Sequence, residues 1–219
     1  MVTFEQIRSS AEIQTYITQA DASLLALGFT EHSFAHVTRC AETASGLLRD
    51  LGYGKREVEL SKIAGFMHDI GNVVNRHDHA ISGATMAFRI LDKMGMEPAD
   101  VATVITAIGH HDDTTAFPVN AVAAALILAD KTDVRRSRVR NRDTISFDIH
   151  DRVNYAVERS DVELNQEAKT ITLTLSINTS VCAVMDYFEI FLDRMLLCRK
   201  AAEFFGLTFK LEINGLALL

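Results

Sequence analysis

Eight histidines stand at positions 32, 36, 68, 77, 79, 110, 111 and 150, and seven of them fall between residues 32 and 111. Imidazole nitrogen and carboxylate oxygen are the usual ligands of Fe, Mn, Zn and Ni ions. The settings of these residues point the same way. His36 lies beside an apolar stripe, and His68-Asp69 ends the apolar run "IAGFM". His79 opens a periodic segment, and His110-His111 ends another. Asp130 lies at the polar end of "ALILAD". A buried carboxylate without a partner is strongly unfavourable or takes up a proton, and a bound metal ion removes that problem. The expected ligands are nitrogen and oxygen without thiolate, which suits Fe or Mn better than structural zinc.

The segments that must position these groups read as helices. Segment 11–27 ends at Gly28. After Ser33 as N-cap, Val37, Cys40, Ala41, Ala44, Leu47, Leu48 and Leu51 recur at three- and four-residue steps, and Gly52 and Gly54 stop the run. Segment 56–68 is apolar on most sides, as a central buried helix is. Further helices are expected over 83–94, over 98–109 with Pro98 in the first turn, and over 119–135. Facing helices of a bundle can gather such side chains into their core. The period then changes to two. Val153, Tyr155 and Val157 alternate with polar residues, as do Ile171 to Ile177 and Leu207 to Ile213, which predicts three strands. Between the last two, segment 181–205 carries a wide apolar stripe. The expected fold is mainly α: a helical bundle over 1–143, then a small α+β unit (β-β-α-β) over 144–219. The boundary falls near 140–150, after the basic run "RRSRVRNR".

The formal net charge of -7 argues against a stable nucleic-acid partner. Cys40, Cys182 and Cys198 form no CxxC pair, so neither a zinc ribbon nor a disulfide framework is indicated, and they read as small buried hydrophobes. Reduced thiols, a first segment without a signal-peptide pattern and no apolar run of membrane-spanning length predict a soluble, cytoplasmic protein with no membrane partner. The C-terminal unit reads first as structural support and second as a homodimer surface.

The order His36, His68-Asp69, His79, His110-His111, Asp130 resembles the HD-domain superfamily of metal-dependent phosphohydrolases. "MHDIGN" is similar to its namesake motif, "HAISGATMAFRIL" to its segment with a Gly four residues after the His, and "ILADKTDVRR" to its closing Asp motif. The resemblance covers roughly residues 30 to 140. It implies one or two divalent metal ions, Fe or Mn first, with Mg, Ni, Co and Zn as alternatives. His36, His68, Asp69 and Asp130 would hold the first ion. Asp69 would bridge to a second, held by His79 and His110, with His111 a ligand or an outer-shell, substrate-facing group. A water activated by the cations attacks phosphorus, which makes Asp69 a catalytic residue. The implied substrate is a small phosphomonoester or phosphodiester, with a nucleotide favoured. The same ligand order also occurs in di-iron oxygenases, and a non-catalytic nucleotide sensor is a third reading.

Two departures matter. Many relatives have Lys three residues after the motif Asp, where it contacts phosphate; here that position is Asn72, so phosphate binding must come from elsewhere. The Gly-Tyr-Pro signature of the cyclic-dinucleotide branch is absent from "HHDDTTAFPVN". The basic run after Asp130 supplies candidates for an anionic substrate, Lys131 and Arg135 first, with Lys131 also a catalytic candidate. His77 reads as cleft lining, His32 first as a surface residue and second as lining the cleft or holding a third metal, His150 as structural, and Asp78, Asp112 and Asp113 as loop or capping residues.

Overall fold

The computed structural model describes residues 1–112, 116–140 and 149–218. Two short helices open the chain, α1 (Phe4–Ser9) and α2 (Ala11–Ala26), each started by a side-chain cap from Thr3 or Ser10. Helix α3 (Phe34–Asp50) begins at Ser33, whose hydroxyl accepts from the Ala35 amide. Its buried stripe includes His36 itself, along with Val37, Cys40, Ala41, Ala44, Leu47 and Leu48. Helix α4 (Lys55–Met67) crosses α3 at very short range. A Cβ on Gly65 would lie 2.7 Å from the Ala41 Cα, so only glycine permits this approach. The crossing brings the end of α4, and with it His68 and Asp69, beside His36.

A single 3₁₀ turn (Ile70–Val73) follows, then α5 (His79–Lys93). Helix α5 starts four residues earlier than the apolar periodicity predicts, because Asp78 adopts a left-handed backbone (φ 58°) that short polar residues tolerate, and this turns the chain into the helix. Gly71 sets how closely the turn meets α5: an added Cβ would sit 2.0 Å from the His79 carbonyl oxygen. Helix α6 (Pro98–Gly109) carries its proline in the first turn. Helix α7 (Ala121–Lys131) is buried almost throughout.

Helix α7 was expected to reach residue 135 and stops at Lys131 instead. Thr132, Asp133 and Val134 are poor helix formers. The Thr132 hydroxyl bonds the Leu128 carbonyl at 2.6 Å. Arg135 is extended, and a second 3₁₀ turn (Arg136–Arg138) follows.

The C-terminal unit consists of α8 (Ile149–Ala156), β1 (Val157–Asn165), β2 (Thr170–Ile177), α9 (Val184–Phe204), β3 (Thr208–Ile213) and the short β4 (Leu216–Ala217). The sheet order is β1-β2-β3-β4. Strands β1 and β2 are antiparallel; β2 and β3 are parallel, with Leu173 beside Leu211, and α9 is the crossover that parallel pairing needs. The expected β-β-α-β order is present, with one correction. Val153 and Tyr155 lie in α8, and only Val157 belongs to a strand. Three alternating residues are too few to separate a strand from a helix, and buried Val153 and Ala156 share one helical face. The expected boundary falls largely on residues 141–148, outside the described residues.

Two apolar clusters form the core. One fills the bundle of α1 to α7. In the other, Ala124, Ile127 and Leu128 of α7 pack with Leu173, Phe191, Met195 and Leu211. Helix α7 is therefore covered by the bundle on one side and by the C-terminal unit on the other, which accounts for its all-round apolar sequence. Among the described residues, no helix is long and apolar enough to cross a membrane.

Candidate metal centre

Four imidazoles converge with two carboxylates, and each ring is anchored through Nδ1. His36 Nδ1 is 2.7 Å from Asp133 Oδ2. His68 Nδ1 is 2.8 Å from the Gly65 carbonyl, His79 Nδ1 is 3.0 Å from that of Arg76, and His111 Nδ1 is 2.6 Å from that of Ile108. The last three use the same local device, a carbonyl three residues back. Each Nδ1 faces an oxygen that only accepts, so each Nδ1 carries the proton. In the neutral rings every Nε2 then presents a bare lone pair to the centre.

Those lone pairs surround Asp69, which is 5% exposed at the end of α4. Its Oδ2 lies 3.5 Å from His36 Nε2 and 3.2 Å from His68 Nε2. Asp130 Oδ1 joins this side, 3.3 Å from His36 Nε2 and 3.8 Å from His68 Nε2. The other oxygen, Oδ1, lies 3.6 Å from His79 Nε2 and 4.0 Å from His111 Nε2. One carboxylate thus stands between two sets of ligand atoms. His79 Nε2 and His111 Nε2 are 3.2 Å apart, lone pair against lone pair. Among the described residues, His68 Nε2 and Asp69 Oδ2 are buried without a hydrogen-bond partner. Acceptors aimed at acceptors in a buried pocket are unfavourable unless a proton or a metal cation lies between them. The residues therefore fit divalent metal ions, and the clustering of His36, Cys40, His68 and Asp130, and of His68, Asp69 and His111, within a span of 4.8 Å meets the same requirement.

The HD-domain family model matches residues 33–135, from the N-cap of α3 to the turn after α7, and all six converging residues lie within it. Residues 33–135 are an HD domain. HD domains bind divalent metals and are in general metal-dependent hydrolases. No curated protein and no solved structure matches the chain.

Within the HD domain the structure corrects three expected placements. His111, not His110, turns into the cluster. His110 is the C-cap residue of α6, and among the described residues its Nδ1 is buried without a partner. His77 is exposed and pairs with Asp78 at 2.7 Å, so it does not line the cleft. Arg135 forks onto Asp133, with Nε 2.6 Å from Oδ1 and Nη2 3.1 Å from Oδ2, and faces away from the cavity. The early stop of α7 is the reason. Lys131 remains at the cavity, 4% exposed, with Nζ 2.8 Å from Asp130 Oδ2.

Other residues reach the site that sequence reasoning left out or ranked lower. Asp133 holds the His36 ring, and its spacing of three from Asp130 was a usable signal. Arg76, three residues before His79, contacts that ring. Arg138 is 4% exposed and lines the cavity, its Nε bonded to the Glu31 carbonyl and its Nη1 to that of Asp133. Cys40 Sγ is 3.7 Å from both nitrogens of His36, so it packs on the ring rather than in line with Nε2. Asp112 Oδ1 is 3.9 Å from His79 Nε2. His32 and His150 both line the cavity, although the sequence read His32 first as surface and His150 as structural.

Burial is the largest influence on the pKa of six groups here: Cys40, His68, Asp69, His79, His111 and Asp130. It lowers the pKa of His111 well below the ordinary imidazole value, with His68 and His79 adding to the effect, and it lowers that of His79. Both rings are therefore neutral and available as ligands. Burial pushes Asp69 and Asp130 upwards, but His68 outweighs it at Asp69 and Lys131 with His36 at Asp130, so both stay ionised well below the carboxylate range. At His68 burial opposes the charged form, and the neighbouring Asp69 and Asp130 carboxylates overcome it and raise the pKa. Buried Cys40 is held as a neutral thiol by burial and by the Asp130 charge.

The cavity above the cluster measures about 400 Å³, within the usual range for a small-molecule site. Among the described residues its wall combines aromatic rings (Phe29, Phe191) with four cations (Arg76, Lys131, Arg138, Arg194). Helices α8 and α9 supply His150, Asn154, Phe191 and Arg194, so the C-terminal unit closes one side of the HD-domain site.

Proposed function

We propose that this HD domain is a hydrolase of small phosphomonoesters or phosphodiesters, with a nucleotide as the favoured substrate. The observation that carries the proposal is the Asp69 carboxylate, whose two oxygens each face a separate pair of imidazole nitrogens. His36, His68, Asp69 and Asp130 would hold one divalent ion, and Asp69, His79 and His111 a second, with Fe or Mn preferred by the nitrogen and oxygen donors. Bound there, such ions would supply Lewis acidity towards a phosphoryl oxygen and lower the pKa of water.

The chain's own residues account for the substrate class. Among the described residues, four cationic and four acidic side chains (Asp69, Asp112, Asp130, Asp151) line the cavity, and their formal charges cancel. Divalent ions add a large positive charge, which an anionic substrate balances. Lys131 holds a proton on Nζ at the cavity wall, where a leaving oxygen can take it. Phe29 and Phe191 offer apolar surface on which a nucleobase can rest. The free, buried cysteines suit a reducing compartment, and the cytoplasm is the proposed location.

The test is elemental analysis of protein purified without chelator, together with a phosphate-release screen over nucleotides and sugar phosphates with added Mn or Fe. Bound transition metal and turnover of at least one ester are expected. Protein that takes up no metal, or metal-loaded protein inert towards every ester, refutes the proposal.

A further inference from the structure

Arg76 is a cation in contact with the cluster that no ligand role explains. It lies three residues before His79, and its Nη1 is 3.4 Å from His79 Nε2. The same Nη1 is 3.3 Å from Asn72 Oδ1. Its guanidinium carbon lies 5.6 Å from the centre of the Phe29 ring, which braces it from the cavity side. Asn72 is 2% exposed, and its Nδ2 donates to Asp69 Oδ1 at 2.9 Å and to the Asp69 carbonyl at 3.0 Å. One buried amide therefore ties the guanidinium to the carboxylate oxygen that faces His79 and His111.

A guanidinium donates hydrogen bonds, accepts none and keeps its charge. It cannot ligate a metal, and an ion on His79 Nε2 would take the lone pair that Nη1 now faces. Two positive centres would then lie a few ångströms apart in a partly buried site, and an anionic oxygen touching both is what balances them. The other cavity cations are differently engaged. Lys131 is paired with Asp130, two of the Arg138 donor nitrogens are committed to backbone carbonyls, and the Arg194 guanidinium lies over the Phe191 ring, 4.6 Å from its centre. Arg76 makes no ion pair among the described residues; its partners there are a neutral amide oxygen, a ring nitrogen and an aromatic face. Planar, forked donors of this kind suit phosphate.

We infer that Arg76, held by Asn72 and Phe29, is the side chain that binds the phosphoryl group of the substrate. This rests on the phosphohydrolase reading. It also answers how a chain with Asn at position 72 binds phosphate: the amide positions a cation four residues further on.

The test uses full-length, Mn-loaded protein and inorganic phosphate as probe. Phosphate affinity is measured by titration calorimetry and metal content by elemental analysis, for wild type, Arg76→Ala and Arg76→Lys. A charged hydrogen-bond pair of this kind predicts a loss of about 10- to 100-fold in phosphate affinity for Arg76→Ala at unchanged metal content. Arg76→Lys should fall between the two, because it keeps the charge and loses the fork. Arg76→Ala that holds its metal and binds phosphate as wild type does overturns the assignment alone. A variant that loses its metal together with phosphate overturns it too, since Arg76 then positions a ligand. Metal-loaded wild type that binds no phosphate overturns the assignment and the phosphohydrolase reading together.

Discussion

Asp133 offers the most demanding test of how this site is held together. It is 2% exposed and lies outside the ligand set, behind His36. It accepts from His36 Nδ1 at 2.7 Å, from Arg135 Nε at 2.6 Å and Nη2 at 3.1 Å, and pairs with Arg39 Nε at 3.2 Å. Replacing it with Ala strands these donors. The Arg39 side chain is 44% exposed, so its share is discounted for solvent screening. The His36 bond and the Arg135 fork remain, and removing the buried partner of such a group costs about 3–5 kcal/mol. For a chain of this size that is a fall in Tm on the order of 10 °C. Asp133→Asn separates the metal effect from the fold. Its amide oxygen can still receive the His36 proton, but the carboxylate that fixes the tautomer and raises ring basicity is gone. Loss of such a supporting carboxylate weakens metal binding about 10- to 100-fold. The assay is a competition titration of Mn or Zn against a chelator, with thermal unfolding of the metal-free protein alongside. Wild-type metal affinity in Asp133→Asn, or an unchanged Tm in Asp133→Ala, would show that His36 is not oriented in this way.

Three further outcomes follow from the same geometry. His111→Ala should lower the metal stoichiometry of the His79 side, whereas His110→Ala should leave it unchanged; elemental analysis of the two variants decides. Gly71→Ala puts a Cβ 2.0 Å from the His79 carbonyl oxygen, so overpacking of about 1–3 kcal/mol or more is expected, with a lower Tm and weaker binding on the His79 side. The third concerns acid. Burial pushes the Asp133 carboxyl up, but its bonds to His36 and Arg135 outweigh this and depress it far below the ordinary value. A depressed carboxylate contributes stability that is present above its unfolded pKa of about 3.9 and is lost as pH falls below that value. The Tm of the metal-free protein should therefore fall below about pH 5, and less steeply in Asp133→Asn; a parallel slope in both would assign the acid lability elsewhere.

Much of this arrangement was legible because helix periodicity and ligand chemistry constrain each other. The apolar run 63–67 marks a central helix, and a His-Asp pair at its end has few uses in a core. The double histidine was not resolvable in the same way. His110 and His111 are adjacent at a helix end, and which ring turns inward depends on the C-cap geometry of His110, whose backbone has already left the helix. Of the basic run, Arg138 rather than Arg135 reaches the cavity for a similar reason. Periodicity continued α7 through Thr132 and Asp133, while the buried bonds of Asp133 end it and redirect the chain. Arg76 had no signal beyond a spacing of three from His79. The contribution of His150, Asn154 and Phe191 to the cavity comes from packing of α8 and α9 against the bundle, and a pattern read along the chain does not encode that contact. The α8 error was one of length, since three alternating residues fit either period.

The central claim is that Asp69 stands between two metal positions. Anomalous diffraction at the Fe or Mn edge, from crystals of protein loaded with that metal, tests it directly. Two peaks are expected, one among His36, His68, Asp130 and Asp69 Oδ2, the other among Asp69 Oδ1, His79 and His111. An ion bound away from Asp69, or no peak at full metal loading, would contradict the account.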